Sequence, residues 1–272
     1  MREESTLPLL LQELKMTTML ELWPSLLDKA QNEQWSYTKF LSALCEQEVE
    51  ARAQRRIQKY ISQSHLPLGK ALTTFDFSYV PMLNPATIGE LIAQTNWVKS
   101  YKNVLLFGPS GVGKTHLAAA IGYGLIEKNI PVLFMSTHGM LERLQQANKQ
   151  LMLAKELNKL DRYPVIILDD IGYVSKTSSQ MHVLFELITH RYETASLIIT
   201  SNQPFSQWDS LFETSAMTVA AIDRLVHHAT IIEIQVDSYR RKESLAKIQK
   251  NDGLTATIMN DKHYPAEGQL SS

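Results

Sequence analysis

The stretch Gly108-Pro109-Ser110-Gly111-Val112-Gly113-Lys114-Thr115 decides the fold, because two glycines with four residues between them, followed by Lys-Thr, form a phosphate-binding pattern. The apolar run 103–107 before it predicts a buried strand, and residues 116–121 after it predict a helix. Backbone N–H groups of such a loop, with the partial positive charge of the helix N-terminus, surround a β-phosphate. We therefore predict a nucleotide site in which Lys114 reaches the β- and γ-phosphates and Thr115 offers its hydroxyl to Mg²⁺.

The overall composition is that of an ordinary globular protein. Of 272 residues, 44% are hydrophobic and 20% are charged, and the length allows one medium and one smaller domain. With a net charge of -1, any DNA-binding face depends on local basic patches. Cys45 is the single cysteine, which excludes an internal disulfide and a multi-cysteine metal site. Because neither a signal pattern nor a membrane-length apolar run occurs, we expect a cytoplasmic location and no membrane partner.

Residues 1–65 predict a small all-helical domain for self-assembly, DNA or partner contact. From Leu7 onward this segment has no glycine and almost no strand signal, and its apolar residues recur at helical spacing. Pro24 is expected to end or kink the second helix. Four bases share one surface of the last helix: Arg52, Arg55, Arg56 and Lys59. Two interpretations stay open, a solvated face balanced by neighbouring glutamates or a face that contacts phosphates or a partner.

Residues 66–86 predict a linker that leads to the nucleotide-binding core. The stretch 65–70, with its proline and glycine, breaks the helical pattern. Phe75 and Phe77 follow, just upstream of the core. These aromatic rings would pack against a nucleotide base or would cover an edge of the core, and their spacing does not choose between the two.

The core is predicted to span 87–250 and to alternate strands with helices, as a parallel sheet covered on both faces requires. After the strand at 103–107, further strands are predicted at 131–135, 165–170, 196–202 and 231–236. Helices are predicted at 87–99, 178–192, 219–228 and 239–250, with one or two more within 137–159. The polar segment 251–272 is predicted to be disordered.

Two acids end the third predicted strand, where a central strand delivers a carboxylate to Mg²⁺. Asp169 is assigned the role of binding Mg²⁺. Asp170 is assigned the role of orienting or polarising the attacking water. The alternative is a turn of two acids without chemistry. Because a whole strand lies in sequence between the phosphate loop and these acids, the order favours an additional-strand ATPase over a small-molecule kinase or a GTPase.

Two later polar residues are candidates for the same chemistry. Asn202 follows the next strand, and its amide would hold the attacking water or the γ-phosphate, unless 202–204 form only a turn. Arg224 lies too far along the chain to serve its own phosphate loop, so it would complete the site of a neighbouring subunit. The alternative for Arg224 is an ion pair with Asp223 or Glu213.

The order GPSGVGKT, VIILDD, IITSN, AIDRL and DSYRRKE, preceded by TFDFSY and a helical region, closely resembles the IstB family. These proteins are ATPase helpers encoded beside the transposase of bacterial insertion sequences, related to the DnaC and DnaI helicase loaders within the AAA+ superfamily. The likeness runs from about Leu7 to Lys250. It implies an α/β AAA+ P-loop ATPase core with a five-stranded parallel sheet, which binds ATP and Mg²⁺, forms a homo-oligomer on duplex DNA and hands target DNA to a transposase.

The resemblance also implies roles for single residues. The phosphate loop becomes the Walker A motif, and Asp169 with Asp170 becomes the Walker B pair. Asn202 is the first sensor and Arg224 the arginine finger. The resemblance further implies Arg240 as a second sensor and places Phe75 to Phe77 near the adenine.

The chain departs from the AAA+ pattern in two respects. Asp169-Asp170 replaces the usual Asp-Glu pair, so the second carboxylate lies about one methylene further from the water, and catalytic geometry is sensitive at that scale. Slow, switch-like hydrolysis is the expectation. A full helical lid does not fit in the residues after the fifth predicted strand, so subunit contacts would help to close the site.

Three functions compete on the sequence. For a DNA-binding helper of transposition, the segment between the second and third strands offers a further basic surface: Arg143, Lys149, Lys155 and Lys159. A DnaC-like helicase loader would instead favour single-stranded DNA and grip a helicase. A metabolic P-loop kinase would need neither a trans-acting arginine nor a helical N-terminal domain.

Overall fold

The computed structural model describes residues 6–173, 177–203 and 216–234 of the chain. The chain divides into two compact units. One contains the residues up to Ser64 together with Ile126–Asn129, and the other contains His65–Leu125 and the described residues from Ile130 onward. The predicted helix at 239–250 and the predicted disordered tail lie outside the described residues.

Three helices form the first unit: α1 (Leu7–Glu13), α2 (Thr17–Asn32) and α3 (Tyr37–Ser64). Leu11, Met19 and Leu44, one from each helix, form its core. Of the two expectations for Pro24, an end of α2 is wrong, because α2 continues for eight residues beyond it, whereas a kink stays a prediction. Proline costs the helix one hydrogen bond, and buried side chains on both sides of Pro24 supply packing that offsets this loss.

Glu48 of α3 caps the start of α2 across the helix pair. Its carboxylate is buried and accepts hydrogen bonds from the backbone N–H groups of Thr18 (2.8 Å) and Met19 (3.1 Å). Arg52 Nε (2.6 Å) and Arg55 Nη2 (3.3 Å) pair with the same carboxylate. Burial by itself would raise the pKa of Glu48, but these hydrogen bonds outweigh it and lower the pKa. Glu48 therefore satisfies helix N–H groups that have no side-chain cap of their own.

The second unit begins with two short 3-10 turns, Leu72–Thr74 and Phe77–Tyr79, followed by helices α4 (Pro85–Ala93) and α5 (Asn96–Lys99). The remaining elements alternate as follows: β1 (Asn103–Phe107), α6 (Lys114–Glu127), β2 (Val132–Ser136), α7 (Thr137–Lys149), α8 (Leu153–Leu160), β3 (Val165–Asp169), α9 (Ser178–Arg191), β4 (Ser196–Ser201), α10 (Ala216–Val226) and β5 (Ala229–Glu233). Among the described residues, no helix is both long and apolar enough to span a bilayer.

The five strands form one parallel sheet in the order β2-β3-β4-β1-β5. Strands β1 and β4 are buried along their whole length, which explains their continuous apolar runs. Because all strands run in the same direction, the carboxyl ends of β1, β3 and β4 meet at one edge. This edge carries the phosphate loop, Asp169 and Asn202.

The fifth strand begins two residues earlier than predicted. It pairs with β1 from Asn103 opposite Ala229 to Phe107 opposite Glu233, whereas 231–236 was the prediction. As an edge strand, β5 leaves Ile231 43% exposed, and its first two residues, Ala229 and Thr230, pair with β1 although they precede the apolar residues from which the strand was predicted. The preceding helix, α10, correspondingly ends at Val226 and not at His228.

Candidate nucleotide-binding site

The phosphate loop has a positive φ at Gly108, Gly111 and Gly113, and two of these positions also leave no room for a side chain. Gly108 has a φ of +150°, and an added Cβ there would lie 2.5 Å from the carbonyl oxygen of Ile234, just after β5. Gly113 has a φ of +98°, and its added Cβ would lie 2.6 Å from Cε2 of Phe75. Side chains would therefore clash with backbone at one glycine and with an aromatic ring at the other. The loop leads directly into the N-terminus of α6 at Lys114.

Lys114 lies inside this loop. Its side chain is 5% exposed, and its Nζ donates to the carbonyl of Pro109 at 2.9 Å. An ammonium buried among loop backbone groups fits a site for a phosphate anion. The predicted role of Lys114 is therefore compatible with its position.

Asp169 and Thr115 form the centre of a hydroxyl and carboxylate network. The Thr115 hydroxyl donates to Asp169 Oδ1 and Oδ2 at 3.0 and 3.1 Å, and Thr200 donates to Oδ1 at 2.6 Å. Thr200 Oγ1 also accepts the backbone N–H of Asp170 at 2.8 Å. Thr200 was missed by the sequence analysis, although β4 reaches the same sheet edge.

This network fits Mg²⁺ bound together with a nucleotide. Hydroxyl and carboxylate oxygens are ligands that Mg²⁺ prefers, and Thr115 and Asp169 bring them together. In the described part of the chain, no group of three His, Cys, Asp or Glu side chains could hold a metal ion. Phosphate and water oxygens would have to supply the remaining ligands.

Asp170 lies beside the same network in a strained backbone conformation. Its φ is 60°, in the left-handed region that few non-glycine residues adopt. It lines the cleft next to the phosphate loop, in contrast to Asp169, which binds Thr115 and Thr200. The two adjacent acids are therefore separated in position, as their two predicted roles require.

Asn202 packs against the turn that follows Asp170. An added Cβ on Gly172 would lie 1.9 Å from Asn202 Oδ1, and this oxygen is buried without a hydrogen-bond partner among the described residues. The turn to which Asn202 itself belongs, at residues 201–203, is held by Ser201, whose hydroxyl accepts the N–H of Gln203. The amide of Asn202 is therefore not used by the turn.

A cleft of about 510 Å³ lies between the phosphate loop and the linker. Phe75 lines it, whereas Phe77 packs edge-on against Phe75 with ring centroids 4.7 Å apart. Asp76 lines it as well, and so do residues that the sequence analysis did not assign to the site, among them Lys70, Tyr79 and His116. The cleft offers aromatic and polar groups next to the phosphate loop, as a nucleotide base requires.

His116 ties α6 to the linker beside this cleft. Its Nε2 lies 2.9 Å from the carbonyl of Ala71 and 3.2 Å from the hydroxyl of Thr74. Burial lowers the pKa of His116, although the hydrogen bond to Ala71 acts in the opposite direction. A neutral ring whose Nε2 carries the proton satisfies the Ala71 carbonyl.

Arg224 lies far from its own phosphate loop. Its Nη1 donates to Ala220, and its guanidinium lies over the rings of Phe185 and Tyr192. It lines a small pocket with Asn103, the first residue of β1, at the opposite end of the sheet from the loop. No ion pair of Arg224 with Asp223 occurs, and Glu213 and Arg240 lie outside the described residues.

The predicted DNA-contacting bases fall into two groups. Some are engaged within the chain: Arg52 and Arg55 with Glu48, and Arg143 and Lys159 with Glu156. Hydrogen bonds from Lys159 and Arg143 lower the pKa of Glu156 against the effect of burial. The others are exposed and make no ion pair with any described residue: Arg56, Lys59, Lys149 and Lys155.

Comparison with known proteins identifies the family. A family-wide sequence profile described as IstB-like ATP binding protein matches residues 9–247. A putative insertion sequence ATP-binding protein of Sinorhizobium fredii is 46% identical over 89% of this chain and 82% of its own length. The putative ATP-binding protein of insertion sequence IS21 from Pseudomonas aeruginosa is 38% identical over 87% of this chain and 89% of its own length.

Solved structures show the same fold. The DnaC helicase loader superimposes with a TM-score of 0.52 at 25% identity, covering 62% of this chain and 98% of the loader. DnaA from Aquifex aeolicus, bound to AMPPCP, superimposes with a TM-score of 0.54 at 20% identity, covering 69% of this chain and 57% of DnaA. The chain therefore belongs to the IstB-like family of insertion-sequence ATP-binding proteins and has the α/β fold of an AAA+ ATPase.

Proposed function

We propose that this protein is an ATP-gated helper of transposition that assembles with its own copies on duplex DNA and recruits or regulates the transposase of its element. The observation that carries the proposal is the Thr115–Asp169–Thr200 network beside the phosphate loop, because ATP and Mg²⁺ would bind directly to this edge of the sheet. The names of the relatives, insertion sequence ATP-binding proteins, support the biological setting.

Each residue of the site has a role in the proposed hydrolysis. Lys114 binds the β- and γ-phosphates, and Thr115 with Asp169 holds Mg²⁺, which when bound neutralises charge on the phosphates. Asp170 orients the attacking water, and Asn202 holds that water or the γ-phosphate. Because Asp170 is one methylene shorter than glutamate, it reaches the water less well, and hydrolysis is slow.

The position of Arg224 supports the proposed assembly. A guanidinium at the amino end of the sheet cannot reach the phosphates bound at the carboxyl end of the same sheet. It supports a site shared between copies, in which Arg224 of one subunit stabilises charge on the nucleotide of the next. ATP would then join subunits that ADP releases.

DNA binding in this proposal is electrostatic and tolerant of sequence. Of the eight bases predicted to contact DNA, four are exposed and make no ion pair with any described residue: Arg56, Lys59, Lys149 and Lys155. Contacts between such bases and phosphates release counterions, so duplex affinity should fall steeply as salt rises.

The test measures the binding of a labelled duplex by fluorescence anisotropy, with ATP, with ADP and without nucleotide. Of the three nucleotide states, only the one with ATP should show tight duplex binding. Replacement of Lys149 and Lys155 by alanine should lower the affinity for the duplex. Equal duplex binding in all three nucleotide states would contradict the gating. Binding that does not weaken with salt would contradict the electrostatic contact.

A helicase-loading function is the second candidate, because the structural similarity to the DnaC loader covers 98% of that protein. It predicts a preference for single-stranded over duplex DNA and retention of a replicative helicase in a pull-down. Transposase retention with duplex preference would exclude it.

A further inference from the structure

The turn between α7 and α8 displays a leucine where the backbone favours glycine. Helix α7 ends in a Schellman motif, in which the N–H of Leu151 donates to Asn148 (3.0 Å) and the N–H of Met152 donates to Ala147 (2.8 Å). Leu151 occupies the left-handed position of this motif, with a φ of 57°. Its side chain is 93% exposed. The chain thus holds an apolar side chain in solvent at a position where its own backbone is strained.

Other helices of this protein end in the same two hydrogen bonds, but with different residues. The left-handed positions there carry side chains with a polar group: Lys15, Gln34, Tyr101 and Asn129. Leu151 is the only aliphatic residue with a positive φ in the part of the chain that the structure describes. The motif therefore does not explain the leucine, and neither does packing, since the side chain is exposed.

The surroundings of Leu151 are positively charged. From Arg143 to Lys155 the chain has three bases and no acid. Arg143 pairs with Glu156, whereas Lys149 and Lys155 are exposed and make no ion pair with any described residue. An apolar tip between uncompensated cations complements duplex DNA, which presents phosphates outside and stacked bases inside. Interface cores between proteins, by contrast, are depleted in lysine.

We propose that Leu151, together with the adjoining Met152, is a wedge that enters a base step of duplex DNA while Lys149 and Lys155 contact the flanking phosphates. The proposal rests on the proposed duplex binding and adds the side chains that unstack a base step of the bound DNA. The wedge is presented rigidly, because the Schellman hydrogen bonds hold one side of the turn and Leu153 packs into the core on the other. Little ordering is therefore needed on binding.

The experiment uses a duplex that carries 2-aminopurine, whose fluorescence rises when its base is unstacked. Full-length protein with ATP should raise the fluorescence, and Leu151→Gly and Leu151→Ser should abolish the rise and weaken duplex binding by about threefold to tenfold. Leu151→Gly also relieves the backbone strain, so a folding defect does not explain its loss. Leu151→Met should keep the rise. Met82→Ser, a change at an 83% exposed apolar residue elsewhere in the same unit, should behave like the wild type.

The outcomes separate the wedge from the proposed function. Duplex binding by the wild type without any fluorescence rise overturns the wedge alone, whereas no duplex binding overturns the proposed function as well. An unchanged rise in Leu151→Gly overturns the wedge. Loss of ATP-dependent assembly in Leu151→Gly without DNA, measured by sedimentation, would show that a second copy covers Leu151 and would also overturn the proposal.

Discussion

Two buried cations lie at opposite ends of the same sheet, and their surroundings differ in kind. At the carboxyl end, Lys114 lies within a loop that has the shape of a phosphate site. At the amino end, Arg191 is 1% exposed and donates to four carbonyls that precede or begin strands: Leu160, Tyr163, Pro164 and Ser196. A planar guanidinium can serve several fixed acceptors, whereas a compact ammonium suits a ligand that comes and goes.

The comparison teaches how to distinguish a structural charge from a functional one. Burial lowers the pKa of Arg191 to about 10, so the guanidinium stays protonated at neutral pH. Its partners are all backbone groups at the ends of α8, β3 and β4. Arg191 therefore joins elements of the fold through its two terminal nitrogens, while its buried Nε has no partner among the described residues. Lys114 stands in the opposite position, at the sheet edge with Asp169 and Asp170.

The largest effect is expected for Arg191→Leu. Its loss removes a buried guanidinium that donates to four carbonyls, which should lower the free energy of unfolding by about 3–5 kcal/mol in urea titrations. Lys114→Ala should change the same free energy by less than about 1 kcal/mol. Equal losses in the two variants would break the contrast between the two ends of the sheet.

Nucleotide affinity should show the reverse order. Lys114→Ala removes a charge-assisted contact to phosphate and should weaken ATP binding by about tenfold to a hundredfold, measured with a fluorescent ATP analogue. Lys102→Ala, an exposed lysine just before β1, serves as the control and should bind normally. Unchanged affinity in Lys114→Ala would remove Lys114 from the site.

A smaller effect should follow from lengthening the second acid. Asp170→Glu brings the carboxylate nearer to the attacking water and should raise the steady-state rate of ATP hydrolysis by about tenfold. ATP affinity should stay near that of the wild type. A lower rate would mean that the left-handed backbone at residue 170 suits aspartate better than glutamate.

The smallest effect concerns Glu48, a second structural charge held by several partners. Because its pKa is lowered in the folded protein, its stabilising contribution is present above the ordinary value of 4.5 and is lost as pH falls through the lower folded value. Glu48→Gln should therefore speed amide hydrogen exchange in α2 at pH 7, and the difference from wild type should vanish in acid. A difference that persists in acid would show that shape, and not charge, carries the contribution.

The sequence predicted the central sheet well because buried parallel strands are continuous apolar runs. Strands β1, β3 and β4 lie within a residue of their predicted ends for this reason. The start of the edge strand β5 was misplaced by two residues because Ala229 and Thr230, which pair with β1, precede its first strongly apolar residue, Ile231. For residues 137–159, the sequence did not decide between one helix and two. The structure has two, because the left-handed turn at Leu151 separates α7 from α8 without a glycine or proline to announce it.

The candidate site was predictable wherever one short motif carries the chemistry. The loop 108–115 and Asp169 are of this kind. Thr200 and His116 were not predicted, because their roles depend on partners brought by other elements: Asp169 for Thr200, and Ala71 for His116. The same holds for Glu48, whose cap on α2 depends on packing between two helices.

The central claim is that ATP is bound at a site shared between copies of this chain. The most direct test measures ATP hydrolysis, in the presence of duplex DNA, by equal mixtures of Lys114→Ala and Arg224→Ala subunits. Each variant alone should be inactive, and the mixture should recover roughly a quarter of the wild-type rate, because about one interface in four joins an intact loop to an intact arginine. No recovery at any mixing ratio would contradict the shared site.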